Sequence, residues 1–196
     1  TTMGNAIIIF FTWPIFASLL SIIFVKEKVR LRTFLLLIMA FLGIIIMYFG
    51  SGLTLSSKDF IGMSFMLVSA ITYAFTIVIF KKELPNYITT ETIFYQNIVG
   101  AVVFLPFIFI NKPYPTLPQI GLGIIYPIIA GLCTFYLFFS ALNKLKVSHY
   151  SLLTYWEVIA SIFFGYLFFC EAVTFNMVLG GVIIIISGVL LTKKSD

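Results

Sequence analysis

The fold is decided by one apolar stretch, SLLTYWEVIASIFFGYLFFC, at residues 151–170. A run of about 20 apolar residues is long enough to cross the hydrocarbon core of a bilayer, which is roughly 30 Å thick, as a helix. The stretch contains a single group that is charged at neutral pH, the carboxylate of Glu157. Its length therefore indicates a membrane-spanning helix, and its one acid indicates a position that does not face lipid.

Apolar stretches of this length recur along the whole chain. Of its 196 residues, 61% are hydrophobic and only 10% are charged, whereas a soluble domain of this length carries far more charge. Strands of a membrane barrel alternate in polarity, and stretches such as GVIIIISGVLL do not. We predict an all-α integral membrane protein with seven transmembrane helices, near residues 5–25, 32–49, 60–80, 91–110, 118–141, 149–169 and 174–192.

Lysine and arginine concentrate in alternate loops of this predicted topology. Ten lie on one side of the membrane and two on the other. The ten are Lys26, Lys28, Arg30, Arg32, Lys81, Lys82, Lys144, Lys146, Lys193 and Lys194, and the two are Lys58 and Lys112. Because cytoplasmic loops carry the excess of positive charge, we predict an external N-terminus and a cytoplasmic C-terminus, in a bacterial or archaeal cytoplasmic membrane. Basic residues scattered over short loops do not form the basic face that binds nucleic acid.

Two parts of the chain resemble each other at an offset of 144 residues. Residues 5–29, NAIIIFFTWPIFASLLSIIFVKEKV, align without gaps with residues 149–173, HYSLLTYWEVIASIFFGYLFFCEAV, so that Glu27 falls on Glu171. The first copy ends at a loop with four basic residues and the second at a loop with none. The two copies therefore face opposite sides of the membrane, and we interpret them as parts of an inverted repeat, as in many secondary transporters.

Four stretches give the chain its resemblance to a known family. They are FFTWPIFASLLSIIFVKEKV, GMSFMLVSAITYAFTIVIFKK, GLCTFYLFFSALNKLKVSHYSLLTYWEV and FFCEAVTFNMVLGGVIIIISGVLL. On these stretches the chain resembles the EamA family of the drug/metabolite transporter superfamily. The resemblance implies a fold of ten helices in two inverted five-helix repeats. It also implies that residues 1–50 are the last two helices of an incomplete first repeat, that residues 59–192 are a complete second repeat, and that three helices precede Thr1.

The predicted binding site is a central cavity in which Glu157 is the only charged group. Glu157 lies about nine residues, or roughly 14 Å, from the start of its helix, close to the bilayer midplane. Exposing an acid to lipid there costs roughly 2.5–3.5 kcal/mol, so we expect it to face the bundle interior or a water-filled cavity. Side chains at helical spacing complete the predicted substrate-binding site: Asn5, Thr12, Trp13, Ser69, Thr72, Tyr73, Thr76, Tyr136, Ser140, Tyr150, Thr154 and Ser161.

The Glu157 position departs from the pattern of the family. The resemblance implies a Glu-Pro pair there, but Val158 follows Glu157, so a proline-dependent bend of the sixth helix is in question. In the first copy Pro14 is kept and Trp13 stands in place of the acid. The resemblance favours a shared gating or coupling role for the acid over substrate reading. From the residues alone, Glu157 is either a protonated structural carboxyl or a proton-linked or substrate-contacting group.

We predict a secondary transporter of a small metabolite, amino acid or drug-like solute, working by alternating access of the two repeats. The alternative is a seven-helix receptor or sensor with an external N-terminus. An enzyme is not expected, because one His and one mid-membrane Glu are too few groups for acid–base chemistry. We expect no cofactor or metal. The expected partners are membrane lipids, the small-molecule solute and protons, with no nucleic acid, and a homodimer is left open.

Overall fold

The computed structural model describes residues 3–49, 57–110 and 116–193 of the chain. Every regular element in these residues is helical, which confirms the predicted all-α fold. The helices are α1 Met3–Phe10, α2 Trp13–Phe24, α3 Leu31–Tyr48, α4 Ser57–Glu83, α5 Thr89–Ile110, α6 Leu117–Tyr126, α7 Cys133–Lys144, α8 Val147–Thr154, α9 Trp156–Phe169 and α10 Phe175–Thr192. A short 3-10 helix, Leu84–Asn86, follows α4, and a π-helix, Pro127–Leu132, joins α6 to α7.

The described residues contain five segments that are long and apolar enough to cross a membrane. They are Asn5–Phe24, Leu31–Tyr48, Phe60–Asn86, Val147–Phe169 and Phe175–Thr192. At the two other predicted positions the chain forms α5, which has 22 residues, and the run from α6 to α7. All seven predicted positions are therefore helical, as expected of an all-α membrane protein. Two of the basic residues used to orient the chain, Lys112 and Lys194, lie outside the described residues.

Three of the predicted spans are interrupted rather than continuous. The first breaks at residues 11–12, between α1 and α2, and the fifth passes through the π-helix. Prolines accompany both interruptions, since Pro14 stands in the first turn of α2 and Pro127 begins the π-helix. A proline lacks the N–H that would bond to the preceding turn, so helices readily change course beside it. Pro106, by contrast, lies inside α5 without ending it.

The third interruption, in the sixth span, occurs without a proline. Tyr155 separates α8 from α9, and its N–H donates to the Leu152 carbonyl at 3.3 Å. The Val158 N–H donates to the Tyr155 carbonyl at 3.2 Å. Both bonds join residues three apart, a tighter turn than that of an α-helix. The sixth span therefore breaks at this point although Val158 stands where a proline was expected.

The chain divides into two compact units. The first unit comprises residues 1–80 and 146–196, and the second comprises residues 81–145. These units differ from the predicted repeats, residues 1–50 and 59–192, and most of the stretch between those repeats lies outside the described residues. The compact units describe how the chain packs and do not test the bounds of the predicted repeats, which stay a prediction.

The second unit contains α5, α6 and α7, and a lysine caps the end of α7. The Lys81 ammonium donates to the carbonyl oxygens of Leu142, Asn143 and Leu145 at 2.7–2.9 Å. The last carbonyls of a helix lack partners within the helix and carry partial negative charge. Lys81 therefore fixes the C-terminal end of α7, in addition to its place among the predicted cytoplasmic charges.

In the first unit, α3 and α10 pack along each other more extensively than any other two helices that the structure describes. Their backbones approach closely at Gly43 and Gly180. A Cβ atom on Gly43 would lie 2.8 Å from the Gly180 carbonyl oxygen, and one on Gly180 would collide with the Gly43 carbonyl oxygen. Small residues at helix interfaces are a common means of association in membranes. Buried apolar residues of the two helices form one cluster with this contact: Leu37, Ala40, Ile44 and Ile184.

The helices repeat at the same offset of 144 residues that aligns the two sequence copies. The bounds of α1 and α8 are equivalent at this offset, and so are those of α3 and α10. The turns that end α2 and α9 also correspond. Lys26, with φ of 58°, and Cys170, with φ of 54°, are the non-glycine residues with positive φ among those described. They are 144 residues apart.

The hydrogen bonds of these two turns are equivalent as well. The Glu27 N–H donates to the Ser21 carbonyl at 3.2 Å, and the Glu171 N–H donates to the Gly165 carbonyl at 3.3 Å. A left-handed residue just after the last turn is a common way to end a helix. The two copies thus share terminal turns and most helix bounds, although their sequences match at few positions.

The left-handed backbone at Lys26 and Cys170 predicts that glycine stabilises the protein at these two positions. Replacing Cys170 or Lys26 by glycine removes the steric cost of left-handed backbone, about 1 kcal/mol. We expect Cys170→Gly and Lys26→Gly each to raise the midpoint of thermal unfolding in detergent. Cys133→Gly, at a right-handed helical position in α7, is the control and should lower stability by roughly a few tenths of a kcal/mol. Destabilisation by all three substitutions would contradict the shared turn.

The close approach of α3 and α10 at Gly43 and Gly180 predicts that even a methyl side chain is too large at these positions. Gly180→Ala should lower the free energy of unfolding by roughly 1–3 kcal/mol, because the backbones must separate. At Gly100 a Cβ would meet nothing within 4 Å. Gly100→Ala should therefore leave stability unchanged or raise it by up to about 1 kcal/mol. Titration with a denaturing detergent measures both, and equal stability of the two variants would rule out the contact.

Candidate functional site

Glu157 lies in the first turn of α9, directly after the break at Tyr155. Its side chain is exposed among the residues that the structure describes. The carboxylate is close enough to the hydroxyls of Tyr73 on α4 and Tyr150 on α8 to interact with them electrostatically. Free N–H groups and the helix dipole favour negative charge at the start of a helix. The break therefore gives the acid a favourable position within a membrane span.

An aromatic cluster forms around Tyr73, whose hydroxyl is within electrostatic range of this carboxylate. The Trp13 ring is nearly fully buried and meets the Tyr73 ring edge to face, with ring centroids 4.8 Å apart. The Phe10 ring lies 5.7 Å from the Tyr73 ring. Tyr73 itself is only partly buried. At the 144-residue offset Trp13 is the equivalent of Glu157, so one of two equivalent residues contacts the Tyr73 ring and the other interacts electrostatically with its hydroxyl.

A second pair of equivalent residues is in direct contact. The Tyr155 hydroxyl donates to the Phe11 carbonyl oxygen at 3.0 Å, and the two rings lie 6.1 Å apart. Each residue stands at the helix break of its own copy. The Ile15 N–H donates to Thr12 rather than to Phe11. The Tyr155 hydroxyl therefore supplies a donor to a carbonyl at a break in the helical ladder.

The start of α8, which carries Tyr150, is capped by a carboxylate from the first copy. The Val147 N–H donates to the Glu27 Oε2 atom at 2.8 Å. Glu27 follows the left-handed residue that ends α2, so the turn aims it at α8. A carboxylate at a helix N-terminus satisfies a free N–H and opposes the helix dipole. The ends of α2 and α8 are thereby fixed to each other within the first unit.

Most of the other predicted residues of the first unit bond to their own helix. Five hydroxyls each donate to a carbonyl three or four residues earlier: those of Thr12, Thr72, Thr76, Thr154 and Ser161. Asn5 is buried, whereas Ser69 is exposed on α4. Such bonds are usual for hydroxyls inside helices. The role of these residues in binding stays a prediction.

Tyr136 and Ser140 lie on α7, in the second unit. Tyr136 is exposed and lines a groove of about 550 Å³, while Ser140 is partly buried. The rest of the groove lining comes from Thr90, Ile93, Phe94, Asn97, Leu132 and Cys133. The π-helix ends at this groove, and such irregular turns often mark functional sites. The assignment of Tyr136 and Ser140 to the binding site stays a prediction.

Sequence reasoning missed three aromatic residues in this part of the structure, namely Phe10 in the aromatic cluster and the contacting pair Phe11 and Tyr155. The gapless alignment of the two copies places Phe11 on Tyr155, and an aromatic pair at equivalent positions was a usable signal. Among the residues that the structure describes, no group of three His, Cys, Asp or Glu side chains is arranged to hold a metal ion.

The chain matches the model of the EamA-like transporter family over residues 1–49 and 60–193. It belongs to this family. Similar proteins include an uncharacterised transporter of Archaeoglobus fulgidus, 27% identical over 99% of this chain and 68% of its own length. An uncharacterised transporter of Bacillus subtilis is 24% identical over 92% of this chain and 63% of its own length.

The name of a third relative includes a substrate. The S-adenosylmethionine uptake transporter of Rickettsia bellii is 28% identical over 92% of this chain and 60% of its own length. The chain thus spans between 60% and 68% of the length of these relatives.

The hydrogen bond between the two helix breaks predicts that removing the Tyr155 hydroxyl lowers the stability of the protein. Tyr155→Phe keeps the ring but removes the donor to the Phe11 carbonyl, and should lower the free energy of unfolding by about 1 kcal/mol. Tyr166→Phe is the matched control, because Tyr166 lies in the same membrane span, on α9, with an exposed side chain. Thermal unfolding in detergent compares the two. Equal stability of both variants would show that the Tyr155 hydroxyl contributes nothing.

Proposed function

We propose that this chain is part of a secondary transporter that moves a small metabolite, amino acid or drug-like solute by alternating access of two inverted repeats. The observation that carries the proposal is the similarity of residues 3–48 and 147–192. The bounds of α1 and α3 match those of α8 and α10, the bounds of α2 and α9 differ by one residue at each end, and the breaks and terminal turns correspond. Inverted repeats let a transporter expose one site to either side, because the two halves can exchange conformations. Membership of the EamA-like transporter family points to the same function.

In this proposal the helices that precede residue 50 end the first repeat, and residues 59–192 form the second. The greater length of the relatives is consistent with a ten-helix protein of two five-helix repeats. The basic loops orient the described helices with the end of α10 in the cytoplasm. A seven-helix receptor is disfavoured, since the family and the similar proteins are all named as transporters.

The exposure of Glu157 supports a water-filled pathway beside α9. An exposed acid near the middle of a membrane span costs roughly 2.5–3.5 kcal/mol against lipid. Water or protein must therefore cover this face in the membrane. We place the pathway here and assign Glu157 to proton coupling or gating, with Tyr73 and Tyr150 as its neighbours. The solutes to test are amino acids, nucleosides, small amines and S-adenosylmethionine, the last because it appears in the name of one relative.

Uptake into proteoliposomes tests this function. The purified protein is reconstituted and given radiolabelled S-adenosylmethionine, lysine, leucine, adenosine or choline, with and without an imposed pH gradient. We expect uptake of at least one solute above that of empty liposomes. Glu157→Gln should lower it by roughly ten-fold, the effect of losing about 1.4 kcal/mol of interaction. Glu171→Gln, a change at a helix end, is the control and should leave uptake unchanged.

Two results would contradict the assignment. If Glu157→Gln transports as the unchanged protein does, with the same response to the pH gradient, Glu157 does not couple protons. If no solute accumulates above empty liposomes in either direction of the gradient, the transport function itself fails.

A further inference from the structure

The two copies pack alike internally but are joined unequally to each other. Within the copies, α2 packs against α3 as α9 packs against α10, and α1 packs against α3 as α8 packs against α10. Between the copies, α2 and α3 both pack against α8. Among the described helices, the equivalent contacts of α9 and α10 with α1 are not formed to a comparable extent. The copies therefore meet more closely where α2 ends and α8 begins, which is the predicted cytoplasmic end.

The surface between α2 and α8, called here the α2–α8 face, contains small polar residues. Ser18 and Ser21 are fully buried on α2, whose main packing partner is α8, and Ser148 and Ser151 are buried on α8. We assign them to this face, since none of the four belongs to the apolar cluster of α3 and α10. The hydroxyl oxygens of Ser18 and Ser151 have no hydrogen-bond partner among the described residues. A buried hydroxyl without a partner costs free energy, which hydration recovers when the face opens.

One carboxylate fastens the end of this face. Glu27 lies just beyond α2, and its Oε2 atom accepts the Val147 N–H at 2.8 Å at the start of α8. Val147 is fully buried, whereas Glu27 is half-buried. A hydrogen bond to a charged acceptor is stronger than one between neutral groups, and the helix dipole adds to it. The bond therefore holds the end of α2 against the start of α8.

The equivalent acid of the second copy is held differently. Glu171 is exposed and folds back over Gly165, where a Cβ atom would collide with its carboxylate. The equivalent of Gly165 in the first copy is Ser21, whose Cβ atom and hydroxyl fill this space. Glu27 therefore lacks the room to fold back and reaches α8 instead. The difference between serine and glycine thus accounts for the different positions of the two acids.

From these observations we propose that the α2–α8 face is a cytoplasmic gate and that the bond from the Val147 N–H to Glu27 is its latch. The gate opens when this bond breaks and water reaches the buried serines. The interface of α3 and α10, with its apolar cluster and its backbone contact at Gly43 and Gly180, stays closed. Passage of a solute through the opening rests on the proposed transport function. The opening itself does not, because it is a helix motion that can be measured without a solute.

Thiol labelling of a buried position measures the opening. Ser18→Cys is introduced into a background in which Cys133→Ala and Cys170→Gly remove the native thiols. The anionic, membrane-impermeant reagent sulfonatoethyl methanethiosulfonate is added to inside-out or right-side-out membrane vesicles, and mass spectrometry follows its attachment. We expect slow labelling that is faster in inside-out vesicles, where the cytoplasmic side faces the reagent. Ser187→Cys, at a fully buried position on α10, is the control and should not be labelled.

Three variants test the latch, because the labelling rate follows the population of the open gate. Glu27→Ala removes the acceptor of the Val147 N–H and should speed labelling by about five-fold, the typical effect of losing an N-cap side chain. Ser21→Gly keeps the acid but gives it room to fold back, and should speed labelling by about two-fold or more. Glu171→Ala is the matched control and should leave the rate unchanged. Circular dichroism checks folding, and Ser21→Gly decides the matter if Glu27→Ala is not folded.

Four results would overturn the proposal. They are labelling of Ser18→Cys that neither Glu27→Ala nor Ser21→Gly accelerates, equal acceleration by Glu171→Ala, a parallel rise in the labelling of Ser187→Cys, and faster labelling in right-side-out vesicles. The outcome is distinct from that of the uptake experiment. Latch-dependent labelling without uptake of any solute would uphold the gate and reject transport. Uptake together with labelling that is insensitive to Glu27→Ala and Ser21→Gly would uphold transport and reject the gate.

Discussion

The hydrogen bond from the Tyr155 hydroxyl to the Phe11 carbonyl joins the two helix breaks on which the candidate site depends. Inside a bilayer there is no water to satisfy a backbone group that a break sets free, and each such group costs several kcal/mol. A break in a membrane helix is therefore stable only where another part of the protein supplies a partner. Here the break in one copy supplies the partner for the break in the other, so both can persist at the depth where the site lies.

The contacts between equivalent residues are those expected of two copies related by a local two-fold axis. Residues on such an axis meet their own equivalents, as in a symmetric dimer interface. Phe11 contacts Tyr155, and α3 packs along α10, its equivalent helix. The relation is not perfect, because α2 packs against α8 through the Glu27 cap, whereas Glu171 folds back over Gly165 at the end of α9. The two copies thus resemble each other in the backbone more than in the side-chain contacts.

Apolar run length predicted the helix positions well, because crossing a bilayer imposes a length on every span. The offset of 144 residues was visible in the sequence, and the Glu27–Glu171 pair that anchored it lies in equivalent turns. The break at Tyr155 was not predictable by the same reasoning. No proline marks it, and its stabilising bond joins residues far apart in the chain. Glu157 follows that break directly and is exposed, and the periodicity of one continuous helix does not report such a break.

Trp13 and Glu157 stand at equivalent positions of the two copies but differ in chemistry, and the character of the candidate site depends on this difference. An acid at both equivalent positions would bring two like charges together in a medium of low dielectric constant, where each would oppose ionisation of the other. Trp13 in the first copy removes that conflict and instead buttresses the Tyr73 ring. One carboxyl group then remains, in the first turn of α9. The two copies thus differ in chemistry at equivalent positions, an acid in one and an aromatic ring packed on Tyr73 in the other.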